Sequence, residues 1–303
     1  MIVRWGLAEL PGILDDVGID RPLLVASPRW DALAIPAAAR WSEIPSQRLS
    51  VARDVDGILA VGGGSAIDTA KAASAASSLP LVSVPTTYSG AEWTSFFGVR
   101  SPDRRQVGGG SGAQLAGIVY DPELTLDLPR AETGGTAMNA LAHCVEALYP
   151  GELQQARRGA AAIDRWLPRV LEDGRDLEAR THLLEAACDA GQSLAAHGLY
   201  LAHAMAQALG GRYGLPHGAM NALCIAPAMR FNAGTVPWAM TAVPVDRVEE
   251  LARLAGFERL RDFGVPAADL DDLGTAVAAR PGAQANPRPA SPKQIAELLR
   301  SIW

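Results

Sequence analysis

Apolar positions along the chain fall into two regimes. Up to about residue 128 they come in short, nearly unbroken runs: Pro22–Ala26, Asp56–Val61 and Leu81–Pro85. Strands buried on both faces of a parallel sheet have this look, because neither face calls for polar residues. Helical spacing lies between the runs. Leu7, Leu10, Ile13, Leu14 and Val17 form one stripe of a helix over Leu7–Val17, and Ala66–Ala76 is rich in good helix formers. Ile35–Trp41 is an alanine-rich helix candidate, followed by a second run from Arg48 to Val55. Trp93–Val99 and Ala116–Tyr120 read as the flanks of a protruding hairpin, with a glycine-rich tip over Arg104–Gly112.

Asp121–Pro129 is a proline-marked linker, and beyond it the periodicity is helical. Met138–Tyr149 is one helix. A helical zone runs from Glu178 to about Leu209, where Gly210-Gly211 breaks it, and Leu215-Pro216-His217-Gly218 opens another helix through Met229. Val243–Ala255 and Phe257–Leu273, interrupted near Gly264, read as surface helices, and Ser291–Ile302 closes the chain after Asn286-Pro287-Arg288-Pro289. The expectation is an α/β domain over residues 1–128 and an all-α domain over 129–303, with the active site in the cleft between them.

The 303 residues suffice for that organisation, and the balance of apolar and charged residues is ordinary for a globular protein. The net charge of −6 argues against nucleic acid or an anionic membrane as partner. No apolar run approaches a membrane span, and the start Met1-Ile2-Val3-Arg4-Trp5-Gly6 lacks the apolar core of a signal peptide. Cys144, Cys188 and Cys224 are odd in number and widely spaced, which suits reduced thiols in a cytoplasmic protein.

Gly62, Gly63, Gly64 and Ser65 sit between a strand and a helix. That geometry aims backbone N–H groups and a positive helix end at a phosphate, and glycine lets the backbone approach it closely. Ser65 either caps the helix or binds phosphate oxygen. The alternative is a tight strand–helix turn with no ligand. Thr86, Thr87 and Ser89 follow the next strand at its C-terminal end, where open parallel sheets bind ligands, and offer hydroxyl donors. At the end of Pro22–Ala26, Ser27 and Arg29 replace the acidic residue that would repel a 2′-phosphate, so NADP is compatible, although Arg29 reads equally as a solvated charge. In the C-terminal half, Asn139 and His143 lie on one helix face, and His182, His197, His203 and His217 follow. Any one helical histidine is more often a satisfied structural residue than a ligand.

Gly62-Gly63-Gly64-Ser65-x-x-Asp68-x-x-Lys71, with Pro85-Thr86-Thr87-Tyr88-Ser89-Gly90-Ala91-Glu92, resembles the iron-containing alcohol dehydrogenase superfamily, and within it the maleylacetate reductases. The resemblance extends to the Asn-Pro-Arg-Pro turn and closing helix, with at least two internal shortenings. It implies that Gly62, Gly63, Gly64, Ser65, Asp68, Thr86, Thr87 and Ser89 hold a nicotinamide dinucleotide. It further implies a divalent metal, Fe or Zn, on an acid, a His four residues later and two His fourteen apart. These places hold Asn139, His143, His203 and His217 here. An amide oxygen is a weaker ligand than a carboxylate, and maleylacetate reductases, which also carry Asn there, are not regarded as metal-dependent. Gln207 stands where the family commonly has a further His and does not relay a proton near neutral pH.

The function implied is NAD(P)H-dependent reduction of a small carbonyl or enoyl acid by a homodimer. His143, His203 and His217 line the pocket, and Tyr88 and Gln207 serve as proton or hydrogen-bond partners. The alternatives are a sugar-phosphate-cyclase-like lyase of the same fold and a non-catalytic ligand-binding protein.

Overall fold

Leu24, Leu59, Val61, Val82 and Val84 belong to one core, and Leu23, Val25, Ile58, Ala60 and Leu81 to another. The division follows from strand geometry: successive side chains leave opposite faces, so an unbroken apolar run feeds two cores. The computed structural model describes residues 1–46, 50–51, 53–103 and 105–303, in two compact units, Met1–Asp127 and Leu128–Trp303.

The first unit contains strands β1 (Ile2–Trp5), β2 (Pro22–Ala26), β3 (Ala39–Trp41), β4 (Gly57–Gly62), β5 (Pro80–Pro85), β6 (Phe97–Arg100), β7 (Gln106–Gly110) and β8 (Gln114–Tyr120), with helices α1 (Leu10–Val17) and α2 (Gly64–Ser77). Among the described residues, six strands pair in the order β1-β8-β5-β4-β2-β3, all parallel. Leu10, Ile13 and Leu14 of α1 fill one core, and Ile67, Ala70 and Ala73 of α2 fill the other.

Three sequence expectations need correction here. Residues 35–41 are not helical: Ala39–Trp41 is the edge strand β3, registered on Leu23–Val25. Four consecutive residues, Ala37–Arg40, after a proline are too few to nucleate a helix, and the open edge of β2 offers a ladder instead. Of the run Arg48–Val55, Arg48, Leu49 and Ala52 lie outside the described residues, as does Arg104. The hairpin is β6–β7, with Phe97 opposite Gly110 and Val99 opposite Gly108, whereas Ala116–Tyr120 belongs to the main sheet between β1 and β5. Gly108–Gly110 therefore form strand rather than tip. A side chain at Gly110 would sit 2.8 Å from the Phe97 ring. The linker Asp121–Pro129 holds a 3₁₀ turn, Pro122–Thr125, with Asp121 capping it through the Glu123 N–H.

The second unit is helical: α3 (Arg130–Ala147), α4 (Gln154–Glu172), α5 (Leu177–His197), α6 (Leu201–Tyr213), α7 (His217–Asn232), α8 (Val245–Leu254), α9 (Leu270–Ala278), α10 (Pro281–Gln284) and α11 (Pro292–Ser301). α3 is buried on nearly every side and packs against α4, α5 and α7. Such a helix is apolar all round, which is why its sequence carries little amphipathic signal. Gly210 and Gly211 lie inside α6, and the helical zone breaks instead at Gly198, where φ is 76°. α4 has no counterpart in the sequence reading. Asn286 of the Asn-Pro-Arg-Pro turn exchanges side-chain hydrogen bonds of 2.8 and 3.0 Å with Asn232, and Arg288 donates to the Phe231 carbonyl, so that motif ties the chain end to α7. Among the described residues, no helix is long and apolar enough to cross a membrane.

Candidate active site

The glycine turn closes β4 and opens α2. Gly62 has φ 149°, a conformation side-chain-bearing residues avoid, and a Cβ there would lie 2.8 Å from Ala66 Cβ. Gly63 is extended, so its need for glycine is one of space: a Cβ would meet Thr87 Cγ2 at 2.8 Å. Gly64 faces Ser89 Oγ at 3.4 Å. The turn is thus pressed against the loop after β5, and Thr86 N–H donates to the Gly62 carbonyl at 3.1 Å.

α2 begins without a side-chain cap, and Ser65, inside the first turn and exposed, supplies none. Ala66 N–H turns back to the Gly63 carbonyl at 2.9 Å, so the Gly64 and Ser65 N–H groups are the ones left for an anion at the start of this fourteen-residue helix. Thr87 Oγ1 is buried with no hydrogen-bond partner among the described residues. A cradle that added side chains would fill, an uncapped helix end and an orphaned hydroxyl fit a dinucleotide phosphate.

Other members of the predicted set have different surroundings. Asp68 pairs with the buried Lys71 at 3.1 Å and accepts the Gly98 N–H at 3.2 Å. Lys71 Nζ in turn donates to the Phe96 carbonyl at 2.8 Å and to Thr94 Oγ1 at 3.2 Å. Through these contacts Asp68 and Lys71 anchor the β6–β7 hairpin on α2. Tyr88 is fully buried, with its hydroxyl 3.3 Å from Thr125 Oγ1, a placement that suits packing rather than proton transfer. Arg29 is exposed and lies over the Trp30 ring at 5.0 Å.

In the helical unit, α3 and α7 cross where glycine faces glycine. A Cβ on Gly218 would lie 2.4 Å from the Gly135 backbone. This close approach, one turn before Asn139 and beside His217, brings both helices' polar residues together. Asn139 Nδ2 is 2.9 Å from His143 Nε2, and Asn139 Oδ1 accepts from Asn221 Nδ2 at 2.7 Å. Asn221 Nδ2 also lies 3.0 Å from His217 Nε2. The His143 and His203 rings stack at 4.5 Å, and His203 and His217 are 5.8 Å apart between centroids. The three predicted histidines do come together. His182 instead stacks on Trp166, and His197 bonds the Ala147 carbonyl.

Two residues of this cluster were missed. Asn221 follows His217 by one helical turn, which i, i+4 spacing would have exposed. Glu146 was visible only as a charge inside an apolar helix. It is fully buried and accepts from the main-chain N–H groups of Tyr200 at 2.9 Å and Ala202 at 2.8 Å, starting α6. Its Oε2 lies 2.7 Å from His203 Nδ1. Burial raises the Glu146 carboxyl above its ordinary range and lowers the His203 imidazole below its own. The imidazole is therefore neutral, with its proton on Nδ1 toward Glu146, and Nε2 presents a lone pair. Nε2 is buried and without a hydrogen-bond partner among the described residues, as is Asn221 Oδ1.

A divalent metal fits this arrangement poorly. The candidate ligands Asn139, His143, His203 and His217 include no anionic side chain, and amide N–H groups take up the Nε2 lone pairs of His143 and His217. Among the described residues, no group of three or more His, Cys, Asp or Glu is placed to hold a metal ion.

Residues 47–119 match the family model of iron-containing alcohol dehydrogenase, and residues 133–245 match the C-terminal model of the Fe-containing alcohol dehydrogenase family. A maleylacetate reductase of Pseudomonas sp. (strain P51) is 33% identical, covering 99% of this chain and 95% of that one. The crystal structure of a maleylacetate reductase from Agrobacterium tumefaciens superposes with a TM-score of 0.88 at 26% identity, covering 100% of this chain and 95% of that chain. That of a sulfoacetaldehyde reductase from Bifidobacterium kashiwanohense, in complex with NAD+, shares the fold at a TM-score of 0.86 and 20% identity, covering 100% of this chain and 96% of the other. The chain belongs to the iron-containing alcohol dehydrogenase family and is an NAD(P)-dependent oxidoreductase.

Proposed function

We propose that this oxidoreductase reduces a small carbonyl or enoyl acid, as a maleylacetate-reductase-like enzyme, with His203 as the proton donor. The observation that carries the reading is the Glu146–His203 pair: a fully buried imidazole fixed through Nδ1, with Nε2 left for a substrate. The glycine turn and Thr87 take the dinucleotide phosphates, and the nicotinamide supplies a hydride from its C4 to the substrate carbon. Negative charge then develops on the substrate oxygen. As that charge grows, a solvent proton adds to the Nε2 lone pair of the neutral His203 and passes on to the oxygen, returning the ring to its neutral form, while the Glu146 carboxylate stabilises the transient imidazolium through Nδ1–H. Asn139 and Asn221 hold the His143 and His217 rings by hydrogen bonds to Nε2. With their Nε2 lone pairs so engaged, these rings shape and orient the site.

The test is NADH and NADPH oxidation, followed by absorbance, against oxo and enoyl acids including maleylacetate, with and without a chelator. Reduction that survives chelation supports the proposal. Product formed without net loss of reduced cofactor would favour lyase chemistry and overturn it.

A further inference from the structure

Arg280 stands at the start of α10 and packs beside α6. Its loop is seated tightly: a Cβ on Gly282 would lie 2.9 Å from the Tyr200 carbonyl and 3.1 Å from that of Leu199. The loop therefore rests on the end of α6 that Glu146 also holds through Tyr200 and Ala202. From there the Arg280 guanidinium reaches Gln207, with Nη1 3.5 Å from its Oε1 and Nη2 3.4 Å from its main-chain oxygen. Gln207 follows His203 by four residues on α6, so the two share a helix face. Gln207, expected to take part in the chemistry directly, is turned toward this arginine.

The contacts are long and both acceptors are neutral. No acidic side chain pairs with Arg280 among the described residues, in contrast to Arg212 on Asp269, Arg230 on Glu249 and Arg300 on Asp271. Burial weighs against its charge and lowers the guanidinium below its ordinary value. A half-buried guanidinium whose five donors are barely engaged is poised for a planar, bidentate anion.

We propose that Arg280 anchors a substrate carboxylate, so that the enzyme prefers oxo acids to neutral carbonyl compounds. The proposal rests on the reductase reading above. His203 and Gln207 are separated by about one helical turn, ~5.4 Å, a span bridged by the few carbons between the carbonyl and carboxylate of a small oxo acid. The carbonyl oxygen sits at His203 Nε2 and the carboxylate on Arg280. Gln207 is a positioning residue that steers the guanidinium.

The experiment compares 4-oxobutanoate with butanal, aldehydes of equal chain length with and without a carboxylate, and measures binding of succinate by calorimetry. Arg280→Ala should lower the ratio of kcat/KM for 4-oxobutanoate over butanal roughly 10- to 100-fold, mainly through KM, and weaken succinate binding in parallel. Arg280→Lys should recover part of both. A ratio within about twofold of wild type, or an equal fall for the two aldehydes, would overturn the proposal and leave Arg280 a structural residue. If the alanine variant does not fold, Arg280→Gln, which keeps a donor toward Gln207, is read the same way. Wild-type enzyme that reduces neither aldehyde but binds succinate in an Arg280-dependent way would sink the reductase reading and keep the anchor. Wild type that reduces both equally well would do the reverse.

Discussion

Glu146 Oε2 lies 2.7 Å from His203 Nδ1, and the same carboxylate accepts the N–H groups that begin the helix on which His203 stands. One side chain thus places both the helix and its imidazole. Truncating it would leave several buried donors unsatisfied, which is costly, whereas Glu146→Gln keeps the shape and removes the charge. We expect Glu146→Gln to fold, with kcat lowered roughly 10- to 100-fold and cofactor affinity little changed. Steady-state kinetics beside a cofactor titration checks this. An unchanged kcat would remove the Glu146–His203 pair from the mechanism.

The glycine turn gives a second prediction. Gly63→Val would drive its Cβ into Thr87, 2.8 Å from Cγ2, and displace the hydroxyl proposed for the phosphate. Overpacking of this kind costs roughly 1–3 kcal/mol. Calorimetric affinity for NADH should fall at least tenfold, ~1.4 kcal/mol, in protein that circular dichroism shows to be folded. Full affinity in the folded variant would mean that the turn is only structural.

A third prediction concerns pH and stability. Glu92 is buried, and desolvation raises its carboxyl above the ordinary 4.5 despite the Tyr120 hydroxyl, 2.6 Å from Oε1, and the nearby charge of Lys71. Its Oε2 has no hydrogen-bond partner among the described residues. A raised folded-state value means that the native protein binds this proton more tightly than the unfolded chain. The stability it contributes is complete below 4.5 and is lost as pH rises through the folded-state value. Glu92→Gln should therefore flatten the decline of Tm on the alkaline side of 4.5. Calorimetric scans of both proteins across pH 4–8 decide it, and identical slopes would refute the assignment.

Much of this was legible in the sequence. Short, unbroken apolar runs announced β2, β4 and β5, which are buried on both faces, and the glycine turn announced α2. What escaped shows where one-dimensional signals fail. Ala39–Trp41 has helical composition but lies beside an open strand edge, and the tertiary ladder prevailed over propensity. α4 escaped although Ala156, Ala160, Ile163, Leu167 and Val170 mark its buried stripe at helical spacing. In the site, His143, His203 and His217 could be named because the family motif spaces them. Glu146 could not, because its partners Tyr200, Ala202 and His203 lie more than fifty residues away and are joined to it only by the packing of α6 on α3. The contacts of Asp68 escaped for the complementary reason: a motif records that a residue recurs, not that it also pairs with Lys71 and holds the Gly98 N–H of a neighbouring hairpin.

The last prediction concerns the metal. Asn139 donates to His143 Nε2 while accepting from Asn221, whose amide also reaches His217. A dication here would have to displace two amide donors and would find no carboxylate among its ligands to offset its charge. We therefore expect little stoichiometric metal in the purified protein and activity that survives chelation. Asn139→Asp replaces the donating amide with an anionic acceptor. It removes the hydrogen bond to His143 Nε2 and supplies a fourth ligand beside three imidazoles, a set suited to Zn²⁺ or Fe²⁺. Because imidazole must be unprotonated to bind, the gained affinity should fall below about pH 6.5, the ordinary histidine value. Elemental analysis and Zn²⁺ calorimetry on both proteins measure this. One tightly held metal per wild-type chain, with activity lost on chelation, would show that the amide network gives way to the ion and that the chemistry runs through it.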